Sequence, residues 1–214
     1  MTLAARRIEP TLGDGRMAAA DRMRPLRADA EADQDDDLMA RIAAGDQRAF
    51  ATLVARHGPR AEALARRFTG SAGDAEEVAQ EAFWRVWRSA ERWTAGGARF
   101  STWLHRIVVN LCVDHDRRRR IRRMLPFADS FDPPADEAGP EQTLAAQDEV
   151  AAVRRDILDL PARQRAALLL SADGEKSNAE IARILQTSEK AVESMLVRAR
   201  RTLRMRLAAR GEMG

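Results

Sequence analysis

Three observations predict an all-α fold of two small helical domains. Apolar residues recur at helical spacing over residues 34–124 and again over 148–210. No strand-like alternation interrupts either stretch. Between them, residues 125–147 carry Pro126, Pro133, Pro134 and Pro140, the acids Asp129, Asp132, Asp136, Glu137 and Glu141, and no Lys or Arg. That is the composition of an extended, flexible acidic linker. Residues 1–33, with mixed charge, scattered Gly and Pro and no sustained apolar period, read as a disordered leader or as the product of a start codon placed too early.

The first helix is expected from Asp37 towards Ala44, ending near Gly45. A second starts around Asp46 and carries Phe50, Leu53, Val54, Ala61, Leu64 and Phe68 on one face, with Pro59 expected to kink or break it. The third opens at Asp74, where Glu77 three residues on completes a capping-box pattern, and runs through Val78, Ala82, Val86 and Trp87. After a Gly96-Gly97 turn, Ser101 is expected to cap a fourth helix, with Leu104, Ile107, Val108, Leu111 and Cys112 on its buried stripe.

Beyond the linker, Pro161 opens an apolar helix, ARQRAALLLSA. Ser177 and Glu180 form a capping box for a short helix through Leu185, Gln186-Thr187 make a turn, and Ser188 caps a longer helix. That helix is expected to bury Val192, Leu196, Ala199, Leu203 and Leu207, and to present Lys190, Arg198, Arg201 and Arg204 on its other side. Residues 188–210 carry a local net charge of +5 although the whole chain carries only +3. A short helix, a tight turn and a longer cationic helix describe a helix-turn-helix whose second helix enters the major groove. Glu189, Lys190, Glu193, Ser194 and Arg198 are the candidate base readers; Arg201 and Arg204 are placed to meet phosphates.

Composition narrows the function class. No apolar run approaches the roughly 18 residues of a membrane span, and no N-terminal apolar stretch resembles a signal peptide. The single cysteine, Cys112, rules out an internal disulfide and agrees with a reducing compartment. A soluble cytoplasmic protein is expected. Nearly all the positive charge is arginine, the only lysines being Lys176 and Lys190. Guanidinium groups suit bidentate contacts with phosphate and guanine, although a GC-rich genome produces the same bias.

Two segments carry more information. In DAEEVAQEAFWRVW, residues 74–87, the acids and amides Asp74, Glu77, Gln80 and Glu81 share one helical side with Trp84, an acidic-aromatic stripe suited to docking on a partner helix. In FSTWLHRIVVNLCVDHDRRRRIRR, residues 100–123, Arg106, Asn110, Asp114 and Arg117 lie opposite the apolar stripe, and an arginine cluster from Arg117 to Arg123 closes the segment. Trp93, Phe100 and Trp103 stand upstream. Cations that track phosphates beside aromatics on which an extruded base stacks describe a single-strand binding surface.

Both segments resemble the sigma-70 family, specifically its small extracytoplasmic-function (ECF) members. The pattern D-x-E-[DE]-hydrophobic-x-Q-[DE]-x-F is matched by Asp74, Glu76, Glu77, Gln80, Glu81 and Phe83. The pattern F-x-x-W-L-x-x-I-x-x-N-x-x-x-D-x-x-R-R is matched by Phe100, Trp103, Leu104, Ile107, Asn110, Asp114, Arg117 and Arg118. Leu160-Pro161-Arg165, Glu180-Ile181-Ala182 and Arg198-Ala199-Arg200 match the C-terminal patterns. The resemblance covers about residues 35–210 in the expected order. It departs at Gln186-Thr187, where the family usually carries Gly, at Lys190-Ala191-Val192 in place of Gly-Thr-Val, and at Asn178-Ala179 in place of an aromatic.

The resemblance implies a sigma factor under anti-sigma control, with no enzymatic activity and no cofactor. Asp74, Glu77, Gln80, Glu81 and Phe83 would grip the clamp of core RNA polymerase. Trp93, Phe100, Trp103, Asn110, Asp114, Arg117 and Arg118 would bind the −10 element as a parted strand. Lys190, Glu193, Ser194, Arg198 and Arg201 would read the −35 element as duplex, and the acidic linker would thread through the core enzyme. Three rival readings compete: a metal site on His105, Cys112 and His115, a stand-alone helix-turn-helix regulator, and a metal-dependent hydrolase using the acidic helices. The second leaves both N-terminal motifs unexplained, and the third lacks ligands converging on a pocket.

Overall fold

In the computed structural model, residues 34–124, 144–172 and 174–211 are described, and all fall in helices or the short turns between them. The leader 1–33 and residues 125–143 of the expected linker lie outside the described residues. Helix α1 covers residues 34–43, so it opens before Asp37, and Gly45 (φ +87°) closes its last turn. Asp46 then caps α2, Gln47–Thr69, accepting from the amides of Arg48 at 2.8 Å and Ala49 at 3.1 Å. The hydrogen bond from Arg41 and the Ala49 amide hold the Asp46 carboxyl below its ordinary pKa.

Pro59 does not break α2. The helix runs through it unbroken, because Pro59 sits on the exposed side while Leu53, Ala61, Leu64, Ala65 and Phe68 bury the other. A helix-interior proline costs about 3 kcal/mol, and two buried large side chains offset that.

Helix α3, Ala72–Ser89, is capped by Ser71, whose hydroxyl accepts from the Asp74 amide at 3.3 Å, and not by Asp74. Gly70, left-handed at φ +75°, turns the chain so that Ser71 is the last extended residue; Asp74 lies in the first turn. A 3-10 turn, Ala90–Arg92, leads to α4, Phe100–Met124. Ser101 is inside the first turn of α4 instead of capping it, and its carbonyl pairs with Nδ1 of His105.

Helix α5, Leu144–Leu158, starts inside the stretch expected as linker. Helix α6, Ala162–Ala172, follows Pro161, whose carbonyl accepts from the amides of Gln164 and Arg165. Helix α7, Asn178–Leu185, has the Ser177–Glu180 capping box expected of it. Helix α8, Glu189–Gly211, buries Val192, Leu196 and Ala199, but Leu203 is half-buried and Leu207 is 48% exposed. The last turns of α8 outrun the apolar bundle. Ion pairs tie them to α5 and the turn after it instead, from Arg206 to Asp156 and Asp159 and from Arg210 to Asp156.

Helices α1–α4 pack around Leu53, Phe68, Val86, Phe100 and Val108, and α6–α8 around Leu170, Ile181, Ile184 and Val192. The two groups share one continuous core, because α6 and α7 pack on α4 and α6 also meets α2. Arg165 of α6 is the polar centre of that joint. Its guanidinium donates to the Phe68 carbonyl at 2.8 Å, to Asp116 at 3.0 Å and to the Leu160 carbonyl at 3.2 Å, and lies over the Phe68 ring. Close by, Leu158 comes within 2.6 Å of where a Cβ on Gly70 would stand, so this glycine serves both the turn and the contact.

Candidate polymerase and DNA interfaces

Helix α3 separates its two sides as the acidic-aromatic pattern predicts. Val78, Ala82 and Val86 are buried, and Glu77, Gln80 and Trp84 are exposed or half-exposed, Trp84 by 56%. Glu81 is half-buried and pairs with Arg85 at 2.8 Å, while Gln80 donates to Glu76 at 3.0 Å. Asp74 leans towards α4, its carboxylate 3.7 Å from Nε2 of His115. Phe83 departs from the expected set. It is 5% exposed and packs edge-on to Phe50, so it supports the outer face from beneath and offers no surface of its own.

On α4, Arg106, Asn110, Arg117 and Arg118 are exposed and Asp114 is half-buried, its carboxylate 3.6 Å from Arg117. These residues line one side of the helix. Upstream, the expected stacking residues divide. Trp93 and Trp103 are half-buried with ring centroids 5.1 Å apart, whereas Phe100 is 1% exposed beneath them, between Trp93 and His57. Phe100 is therefore a core residue here, because no face of its ring is open to a base.

In α7 and α8 the helix-turn-helix has the predicted form. Gln186 adopts the left-handed conformation (φ 51°) at the turn, and the Ser188 hydroxyl accepts from the Ala191 amide at 3.2 Å. Partial burial pushes the Glu180 carboxyl up, but hydrogen bonds from the Ser177 amide and hydroxyl outweigh it and leave the pKa below its ordinary value. Lys190, Glu193, Arg198, Arg201 and Arg204 are exposed, and Ser194 is half-buried. The basic stripe is shorter than its charge count, since Arg206 and Arg210 turn to Asp159 and Asp156.

Among the described residues no three His, Cys, Asp or Glu side chains are grouped to hold a metal. Cys112 is buried, and burial pushes its thiol up to about 12. Burial, seconded by the charge of Lys176, pulls His105 down to about 4. Among the described residues no helix is long and apolar enough to cross a membrane.

Sequence reasoning missed the acids of α1. Asp35 accepts from Arg56 at 2.7 Å and pairs with His57 at 2.8 Å, and Asp36 accepts from the Trp93 indole at 2.7 Å. Their signal was present in the run Asp35-Asp36-Asp37, but partners 21 to 57 residues away leave no periodic trace.

Comparison with known proteins places the two helical units in order. The Sigma-70 region 2 family matches residues 53–122, and the Sigma-70, region 4 family matches residues 151–203. RNA polymerase sigma factor CnrH of Cupriavidus metallidurans is 36% identical over 187 residues, covering 84% of this chain and 97% of that protein. ECF RNA polymerase sigma factor SigM of Mycobacterium tuberculosis is 36% identical, covering 79% of this chain and 82% of its own length. The solved structure of CnrH in complex with the cytosolic domain of CnrY is similar at TM-score 0.59 and 31% identity, covering 82% of this chain and 98% of that one. The sigma factor RpoE of Bartonella quintana, solved with the anti-sigma factor NepR, shares the fold at TM-score 0.60 and 22% identity, over 74% of this chain and 96% of that one.

Proposed function

The chain belongs to the sigma-70 family as an ECF-type RNA polymerase sigma factor, and from this we propose how its surfaces divide the work of initiation. It binds core RNA polymerase and directs promoter recognition and melting; it is a transcription initiation factor and not an enzyme. Residues 34–124 act as region 2 and the helices from α5 to residue 210 as region 4, joined by the linker that precedes α5, with 1–33 a leader. Polymerase and promoter put its place of action in the cytoplasm.

The outer side of α3, with Glu77, Gln80, Glu81 and Trp84, is the clamp contact; Asp74 and Phe83 hold that helix from the side and from beneath. Trp93, Trp103, Asn110, Asp114, Arg117 and Arg118 form the −10 surface, with Phe100 as its support. Parting a strand costs a few kcal/mol of unstacking, and stacking an extruded base on an aromatic ring returns about 1–3 kcal/mol. Lys190, Glu193, Ser194, Arg198 and Arg201 meet the −35 duplex. The solved relatives were captured with CnrY and with NepR, which supports control of this chain by an anti-sigma protein.

The observation that carries this reading is the ordered pair of region 2 and region 4 matches on helices that expose an acidic-aromatic face and two cationic faces. The test is transcription by core RNA polymerase on genomic DNA fragments. New start sites that appear only with this chain support the reading, and identical transcripts with and without it sink it.

A further inference from the structure

We propose that Asp36 is a positioning residue for strand capture: it fixes the 93–99 loop and the Trp93 ring before DNA arrives. This rests on the reading of residues 93–123 as the strand-binding segment.

Both oxygens of Asp36 are engaged by the loop. The Trp93 indole N–H donates to Oδ1 at 2.7 Å, and the Gly96 amide donates to Oδ2 at 2.9 Å. One side chain of α1 thus ties down a loop 57 and 60 residues further along the chain. Residues 94–99 are exposed, and Gly96 is left-handed at φ +72°. Hydrogen bonds to an ionised acceptor are roughly twice as strong as neutral ones. Asp36 also lies in the first turn of α1, where the helix dipole favours a negative charge.

The indole donor decides the ring. With its N–H held, the Trp93 indole is tilted 54° to Trp103 and stands at 66° to Phe100. A stacking ring works best when its orientation is set in advance, because ordering it during binding subtracts from the gain. Asp36 therefore acts on affinity and base preference through Trp93 without touching DNA. Its neighbour Asp35 is directed elsewhere. Its two oxygens go to Arg56 and His57, and so pin α1 to α2.

The test uses holoenzyme assembled from core RNA polymerase and the full chain, with a fluorescent single-stranded DNA library randomised at several positions. Wild type is expected to enrich particular bases. Asp36→Ala should lower that enrichment about tenfold, and Asp36→Asn, which keeps one acceptor oxygen, should fall between. Asp35→Asn should lower the thermal midpoint while keeping the wild-type preference. Equal enrichment by wild type and both Asp36 variants overturns the proposal, as does an equal loss of preference in Asp35→Asn. Absence of any enrichment by wild type overturns the strand-binding reading beneath it instead.

Discussion

Arg165 and Asp116 meet across the joint between the two helical units, Nη2 to Oδ1 at 3.0 Å, with the arginine side chain 3% exposed and the aspartate 17%. Burial lowers the Arg165 pKa from its usual value, and Asp116 opposes that shift. Such a pair is a weak source of net stability while intact and a large loss when broken. Asp116→Ala should therefore destabilise the chain by about 3 kcal/mol, measured by urea unfolding. The carbonyls of Phe68 and Leu160 still accept from the arginine, so complete loss of folding is not expected. A loss below about 0.5 kcal/mol, the range of ordinary surface changes, would show that the joint does not persist in solution.

Gln186 occupies a left-handed turn where the family usually carries glycine. Holding a residue with a Cβ there costs roughly 1 kcal/mol, so Gln186→Gly should raise stability by about that amount. Unchanged or lower stability in thermal unfolding would mean that the turn is not left-handed.

Gly70 should tolerate no side chain. Alanine meets both the positive φ and the Leu158 methyl 2.6 Å away, so Gly70→Ala should cost about 1–3 kcal/mol. Full stability in Gly70→Ala would show that α5 does not pack there.

The pH dependence of folding follows from His105. Its pKa falls to about 4 in the fold, chiefly through burial. The unfolded chain takes up a proton below about 6.5 that the folded chain refuses. Stability is then full above about pH 6.5 and declines as pH falls towards 4, by up to about 3 kcal/mol. His105→Phe should flatten this slope in urea unfolding between about pH 7 and pH 5; an equally steep slope would assign the effect to other groups.

Arg198→Ala should weaken binding to −35 duplex by about 1–3 kcal/mol, the worth of a good base contact, while core binding stays intact. Equal loss of both would overturn the division of roles.

The local features of the fold were legible in sequence. The start of α2 at Asp46, the Ser177–Glu180 box, the apolar stripe of α4 and the exposed arginines of α8 all depend on residues within a few positions of one another. What escaped depends on how the chain turns and on what packs against it. Ser71 displaced Asp74 as the cap of α3 because Gly70 redirected the chain just before it. Pro59 was outweighed by burial on the far side of α2, and Leu207 was exposed because α8 runs past its partners. At the candidate sites the motifs selected helices with the expected exposed faces, but they also included Phe83 and Phe100, whose rings are buried. A motif marks residues a family keeps together; it does not separate those that touch a partner from those that hold them in place.

The central claim is that α3 docks this chain on polymerase, and co-elution from a sizing column tests it most directly. Glu77 and Gln80 lie on the outer side of the helix, so Glu77→Ala/Gln80→Ala removes two of the four proposed docking groups and leaves the core and the Asp74–His115 contact untouched. Wild type should co-elute with core RNA polymerase and the double variant should largely separate from it. Failure of the wild type to bind core, together with binding of duplex DNA by the chain alone, would contradict the account and make the chain a stand-alone regulator.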